Sequence, residues 1–216
     1  MSKQKDAFLS GEADSWFERN LPGFSKAQPE LEDLKGFFEP GARVLEIGCS
    51  GGRYSSFFMG RGASFVGIDP SEKAIQAARH AYEEGEFHLG TADKLPFDNE
   101  SFDLIFFSFC LYVIDRPLLA KVVSEADRVL KNKGFLAILD FEPPFPSQRP
   151  YAHVPGLISY KMDYGKIFLS FPHYVPAFKR VFSHRSDALL FEAAPQERTS
   201  LQILFKDHAS SYHQQL

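Results

Sequence analysis

The chain has 216 residues, 44% of them apolar, which is long enough for one domain with a substantial core. A net charge of −4 excludes a long-range field that would gather nucleic acid, and two cysteines, Cys49 and Cys110, exclude a disulfide framework and suit the reduced cytoplasm. Met1–Asp6 is polar with no apolar core after it, and no apolar run approaches membrane-spanning length, so neither a cleaved leader nor a membrane partner is expected.

In chain order, Ala7–Asn20 reads as a polar helical arm ended by Pro22 and Gly23 and carrying the only tryptophan, Trp16. Trp16 and Phe17 can dock this arm on the core. If it instead closes over a ligand, Arg19 or Asn20 can meet a carboxylate. Gln28–Phe38 follows as a helix with Leu31, Leu34, Phe37 and Phe38 on one face, suited to packing. Val44, Leu45 and Ile47, interrupted only by Glu46, form a short strand buried on both sides. It runs into Gly48-Cys49-Ser50-Gly51-Gly52, a turn slim enough for a ligand to approach the main chain. A helix is expected from Arg53 to Arg61, stopped by Gly62.

Phe65-Val66-Gly67-Ile68-Asp69 is a second strand ending in an acid, 21 residues after Gly48. Such a carboxylate can accept from both hydroxyls of a ribose, or simply cap a helix. Pro70 fits a first helical turn, Ser71 or Asp69 can cap it, and the helix should extend over Ser71–Glu84. Glu86–Gly90 is a third strand, Phe102–Phe107 a fourth, and an amphipathic helix from Pro117, closed by Gly134, leads to a fifth over Phe135–Asp140. The alternation implies a parallel sheet covered on both faces, with ligands at the carboxyl ends of its strands.

Two cofactor classes use such a glycine turn. For the dinucleotide fingerprint G-x-G-x-x-G aligned on Gly48, the second and third places fall on Ser50 and Arg53, so an NAD-dependent oxidoreductase is the lesser reading. The pattern E-x-G-x-G-x-G matches at Glu46, Gly48 and Gly52 and departs only at Ser50. In this it resembles motif I of the class I S-adenosylmethionine-dependent methyltransferases. Thr91-Ala92-Asp93 resembles that family's segment after strand three, and Phe102-Asp103-Leu104-Ile105 its fourth strand. The resemblance spans about Ala42–Asp140 and implies a doubly wound α/β fold, a seven-stranded mostly parallel sheet with a C-terminal antiparallel hairpin. It also implies S-adenosyl-L-methionine as cofactor, held by Glu46, Gly48, Cys49, Ser50, Gly52, Asp69, Pro70 and Ser108, with Asp93 at the adenine amino group, Ala92 offering a backbone contact, and Arg19 contributed by the arm.

The Asp/Asn-Pro-Pro-Tyr/Phe signature of nucleic-acid base methyltransferases is missing after strand four, where Ser108-Phe109-Cys110-Leu111 stands. Glu142-Pro143-Pro144-Phe145, after strand five, reads as a loop. Pro143–Pro176, rich in aromatic residues, is expected to build the acceptor pocket. Its polar candidates are His153, Tyr160, Asp163, Tyr164, His173 and Tyr174, of which His153, His173 and Tyr160 are nominated as a proton-accepting base. Ala188–Ala194 and Thr199–Lys206 read as the closing hairpin and the tail from Asp207 as loose. The expected layout is thus one domain: arm 1–39, cofactor core 42–141, acceptor insertion 142–182 and hairpin 183–207. The expected activity is metal-independent methyl transfer to an oxygen or nitrogen of a small molecule. Trp-Phe-x-Arg-Asn in the arm is loosely similar to methyltransferases of sugar and secondary-metabolite pathways. A non-catalytic S-adenosylmethionine-binding regulatory module is the alternative.

Overall fold

The computed structural model describes residues 3–24, 29–184 and 194–210. The arm is longer than its periodicity suggests. Helix α1 (Lys3–Ala7) passes through a π turn over Phe8–Glu12 into α2 (Ala13–Asn20), with Gly11 at φ 128° breaking the helical path. Pro29–Phe37 forms a 3₁₀ stretch in place of the expected α-helix and still buries Leu31 and Leu34.

The core alternates as expected through β1 (Arg43–Ile47), α3 (Ser55–Met59), β2 (Ser64–Asp69), α4 (Glu72–Ala81), β3 (Glu86–Leu89), β4 (Phe102–Ser108), α5 (Arg116–Val129) and β5 (Leu130–Phe141). Two-residue periodicity divides the strand side chains between two apolar layers. Leu45, Ile47, Ile105 and Phe107 pack under Val122, Val123 and Ala126 of α5; Val44, Leu104 and Phe106 pack on the other face with Phe58 of α3 and Ile75 and Ala78 of α4. Each such side chain contributes about 1.5–3 kcal/mol on burial, so the strands hold their register against a one-residue slip that would exchange the layers. At the start of α4, the Ser71 hydroxyl accepts the Ala74 N–H, as the capping reading requires.

The remaining elements are the hairpin β6 (Ser147–Pro150) and β7 (Ile158–Lys161), the short α6 (Gly165–Phe168), β8 (Tyr174–Ser183) and β9 (Arg198–Lys206). Strand order is β3-β2-β1-β4-β5-β9-β8, parallel from β3 to β5 and antiparallel for the last two, which is the expected seven-stranded mixed sheet.

Helices α3 and α4 are shorter than the expected Arg53–Arg61 and Ser71–Glu84, and two further boundaries also differ. Helix α5 ends at Val129, and Gly134 lies inside β5 at a register irregularity. A Cβ there would stand 2.9 Å from the Asp103 carbonyl oxygen, so the glycine serves a close strand approach, not a helix stop. The partner of β9 is Tyr174–Ser183, not the expected Ala188–Ala194, whose residues 188–193 lie outside the described residues. Residues 174–182, grouped by their aromatic content with the insertion, therefore belong to the main sheet. Residues 211–216 of the tail also lie outside the described residues.

Candidate active site

A cleft of about 900 Å³, its open mouth included, lies beyond the carboxyl ends of β1, β2, β3 and β4. Gly48, Asp69, Pro70, Ala92, Asp93 and Ser108 line it, and Gln4, Lys5, Phe8 and Trp16 of the arm lie against it.

The glycine turn is shaped by what its missing side chains admit. Gly48 has φ 82°, donates its N–H to the Ile68 carbonyl at 2.9 Å, and a Cβ there would stand 2.6 Å from Cys110 Cβ. A Cβ on Gly51 would meet the Phe17 ring at 2.7 Å, and one on Gly52 the Phe87 ring at 3.0 Å. Ser50, the one departure from the family pattern, adopts φ 46°, a left-handed conformation costing about 1–2 kcal/mol outside glycine. Its N–H is fixed by Asp69 Oδ2 at 2.9 Å, while its hydroxyl is buried without a partner. Asp69 Oδ1 accepts the Ser71 N–H at 2.9 Å, so one carboxylate ties the turn to the start of α4. Burial pushes Asp69 up to about 6 against the pull of those two N–H donors.

Glu46 sits beneath the turn, buried, with both carboxylate oxygens lacking a hydrogen bond. Burial drives it up to about 8, opposed by the nearby Ser108 hydroxyl and the Arg53 guanidinium. A buried, unpartnered carboxyl is costly to keep unless a cation or donor arrives. Cys49 turns into the core against Gly67, leaving only its backbone for a ligand, and burial keeps its thiol protonated.

In the loop after β3, Asp93 is buried and paired with Lys5 Nζ at 2.8 and 2.7 Å. Burial pushes this carboxyl up, but Lys5 and the Thr91 hydroxyl outweigh it and hold it below the usual range. After β4, Phe109 takes φ 46° with its N–H on the Leu139 carbonyl at 2.8 Å. Asp140 at the end of β5 holds the same loop: its Oδ2 accepts from the Leu111 and Tyr112 N–H groups at 3.0 and 3.3 Å. Burial pushes Asp140 up to about 7.

Arg19 does not line the cleft; it pairs with Glu12 and lies 3.4 Å from the Tyr151 hydroxyl. None of the three nominated bases lines it either. His153 is exposed against the edge of Tyr151, and Tyr160 lies under the Arg116 guanidinium. His173 bonds Asp127 Oδ1 at 2.9 Å. The register Tyr174↔Lys206 and Phe135↔Phe205 puts it at the amino end of the parallel strands, opposite the cleft. Among the other polar candidates of the insertion, Asp163 binds Lys179 and Gln202, the Tyr164 hydroxyl donates to the Tyr160 carbonyl, and the Tyr174 hydroxyl donates to Asp127.

Sequence reasoning passed over Gln4, Lys5 and Asp115. Asp115 Oδ2 accepts the Gln4 and Lys5 N–H groups at 3.0 and 3.1 Å, and Gln4 donates to the Val113 carbonyl. The other end of the arm is docked through Asp14 Oδ1, which accepts from the Ser71 hydroxyl at 2.7 Å. Among the described residues, no group of three metal-ligating side chains is gathered anywhere, and no helix is long and apolar enough to cross a membrane.

Comparison with known proteins agrees with this architecture. Residues 45–138 match the family described as a methyltransferase domain. A methyltransferase of Synechocystis sp. is 34% identical over 117 residues, 54% of this chain and 54% of the relative. A demethylmenaquinone methyltransferase of Thermotoga maritima is 42% identical over 80 residues, 37% of this chain and 34% of the relative. The chain thus spans about half or less of the length of these curated relatives. Among solved structures, the 1,6-didemethyltoxoflavin-N1-methyltransferase of Burkholderia thailandensis, with its substrate and S-adenosylhomocysteine bound, superposes with a TM-score of 0.74 at 16% identity. That match covers 96% of this chain and 91% of the other. A methyltransferase of Methanosarcina mazei gives 0.65 at 19% identity, over 84% of this chain and 99% of that one. The chain thus shares its fold along nearly its whole length with solved methyltransferases, and its residues 45–138 match a methyltransferase domain.

Proposed function

We propose that this protein binds S-adenosyl-L-methionine in the cleft and transfers its methyl group to an oxygen or nitrogen of a small-molecule acceptor, such as a secondary metabolite. The observation that carries the reading is a pair of carboxyls at the glycine turn, Glu46 buried and Asp69 half-buried. Glu46 lies under it with no partner, and Asp69 closes it with lone pairs still to offer. The donor set suits a cationic, hydroxylated nucleoside: Asp69 for ribose hydroxyls, Asp93 for an exocyclic amine, Ala92 for a backbone contact, and Glu46 for positive charge nearby.

The cofactor supplies a methyl group already activated by its sulfonium. The work left to the chain is to hold an acceptor lone pair in line and exclude water. Trp16, Phe8 and Phe109 give the cleft apolar walls for the second task and flat surfaces for a ring-shaped acceptor. The names of relatives favour such acceptors: one is a demethylmenaquinone methyltransferase, another a ubiquinone biosynthesis O-methyltransferase, and a structural neighbour is a 1,6-didemethyltoxoflavin-N1-methyltransferase. No histidine or tyrosine is among the lining residues described, so the transfer rests on positioning of an acceptor that ionises readily.

The test is calorimetric titration with S-adenosylhomocysteine, followed by transfer of labelled methyl groups to a cell extract separated by molecular size. Label in the small-molecule fraction is expected. Absence of binding, or label confined to protein or RNA, would refute the proposal.

A further inference from the structure

We infer that Lys5 is a cofactor-positioning residue: from the arm it orients Asp93, the acid assigned to the adenine edge, so that arm closure and nucleoside binding are one equilibrium. This rests on the reading of the cleft as an S-adenosylmethionine site.

Lys5 and Asp93 are 88 residues apart in the chain and share one wall of the cleft. The ammonium contacts both carboxylate oxygens, at 2.8 and 2.7 Å, and the Asp93 side chain is only 8% exposed. A paired ammonium leaves a carboxylate with further lone pairs, and keeps it the pure acceptor that an exocyclic amine requires. Without Lys5, the carboxylate loses the partner that fixes both of its oxygens and is free to turn away from the position an exocyclic amine needs.

The lysine is held where it can do this. Asp115 fixes its backbone N–H and that of Gln4, and the Gln4 side chain joins the Val113 carbonyl to the Ile158 N–H. The far end of the arm bears on the other nucleoside carboxylate: Asp14 takes the Ser71 hydroxyl, and the Ser71 N–H goes to Asp69. Between the two anchors, Gly11 at φ 128° supplies the one non-helical joint in the arm. The arm thus touches Asp93 directly and reaches Asp69 through Ser71, and Trp16, the only tryptophan of the chain, rides on it against the cleft.

The experiment is a double-mutant cycle read by titration calorimetry with S-adenosylhomocysteine and by Trp16 emission. It uses the full chain with Lys5→Met, Lys5→Arg, Asp93→Asn and the Lys5→Met/Asp93→Asn pair. Lys5→Met should weaken binding about tenfold or more, the scale of one charge-assisted hydrogen bond, and Lys5→Arg should restore it to within about threefold. In the Asp93→Asn background, Lys5→Met should change the dissociation constant less than about twofold, because the group it acts through is gone. The ligand-induced change in Trp16 emission should survive in Lys5→Arg and fade in Lys5→Met. Wild-type affinity in Lys5→Met, or an equal loss in both backgrounds, would overturn the role of Lys5 while leaving the cofactor site standing. A wild-type protein that binds no S-adenosylhomocysteine would overturn both.

Discussion

Replacing Glu46 by glutamine should make the protein more stable and a weaker binder at once. The carboxyl is buried, makes no hydrogen bond and sits at about 8, against an ordinary value of 4.5. A raised folded-state value means that the folded protein holds a proton the unfolded chain gives up. The folded state is therefore favoured below about 4.5 and loses stability as pH rises to about 8. At about 1.4 kcal/mol per pH unit, that window amounts to roughly 5 kcal/mol as an upper bound, and about 2–5 kcal/mol once the polarisable surroundings are allowed for. Glutamine carries no such penalty, although its buried amide costs about 1–3 kcal/mol if unpaired. Urea melts at pH 5, 7 and 9 should show the variant gaining on the wild type by about 2–5 kcal/mol across the range. Asp69 and Asp140 titrate in both proteins, so they cancel in the difference. Calorimetry with S-adenosylmethionine in buffers of differing ionisation enthalpy should detect proton release at pH 7 in the wild type and less in the variant, with affinity lowered about tenfold or more. A stability difference flat with pH, together with unchanged affinity, would refute the role given to this carboxyl.

Gly48→Ala should cost about 2–5 kcal/mol, combining a left-handed backbone penalty with overpacking against Cys110, and should lower the melting temperature by roughly 5–15 °C in a thermal scan. Asp69→Asn should lower affinity for S-adenosylhomocysteine about tenfold or more by calorimetry, since the amide offers one acceptor oxygen where two N–H groups and a ribose compete. The same variant should lose less stability than the wild type between pH 4 and 7, because burial places this acid at about 6. His173→Ala should leave methyl transfer within about twofold of wild type while lowering stability by about 1 kcal/mol in urea melts, as loss of a hydrogen bond to Asp127 far from the cleft.

The cofactor half of the fold is legible in the sequence because its strands are short apolar runs separated by glycine stops and capped helices, each obeying one local rule. Val44–Ile47, Phe65–Asp69 and the Ser71 cap required nothing beyond periodicity and hydrogen-bond chemistry. Strand β8 escaped because it lies at the sheet edge. Its Lys179 and Arg180 face water and Pro176 lacks a ladder donor, so neither alternation nor β-propensity marks it. That omission also misplaced His173: until the last antiparallel pair is known, a loop cannot be assigned to one end of the sheet. Lys5 was invisible for another reason. A lysine near the start of a polar helix carries no local sign of a partner 88 residues away. Arg19, the more conspicuous cation, turned to Glu12 at the end of the preceding π turn.

Phe17 rests where a side chain on residue 51 would have to go. The two positions therefore work like tooth and notch. Any atom gained by the turn has to be surrendered by the arm, and a shortened arm would bare the most slender part of the backbone to solvent. Exchange of arms between related chains would consequently succeed only when the matching turn travels with them.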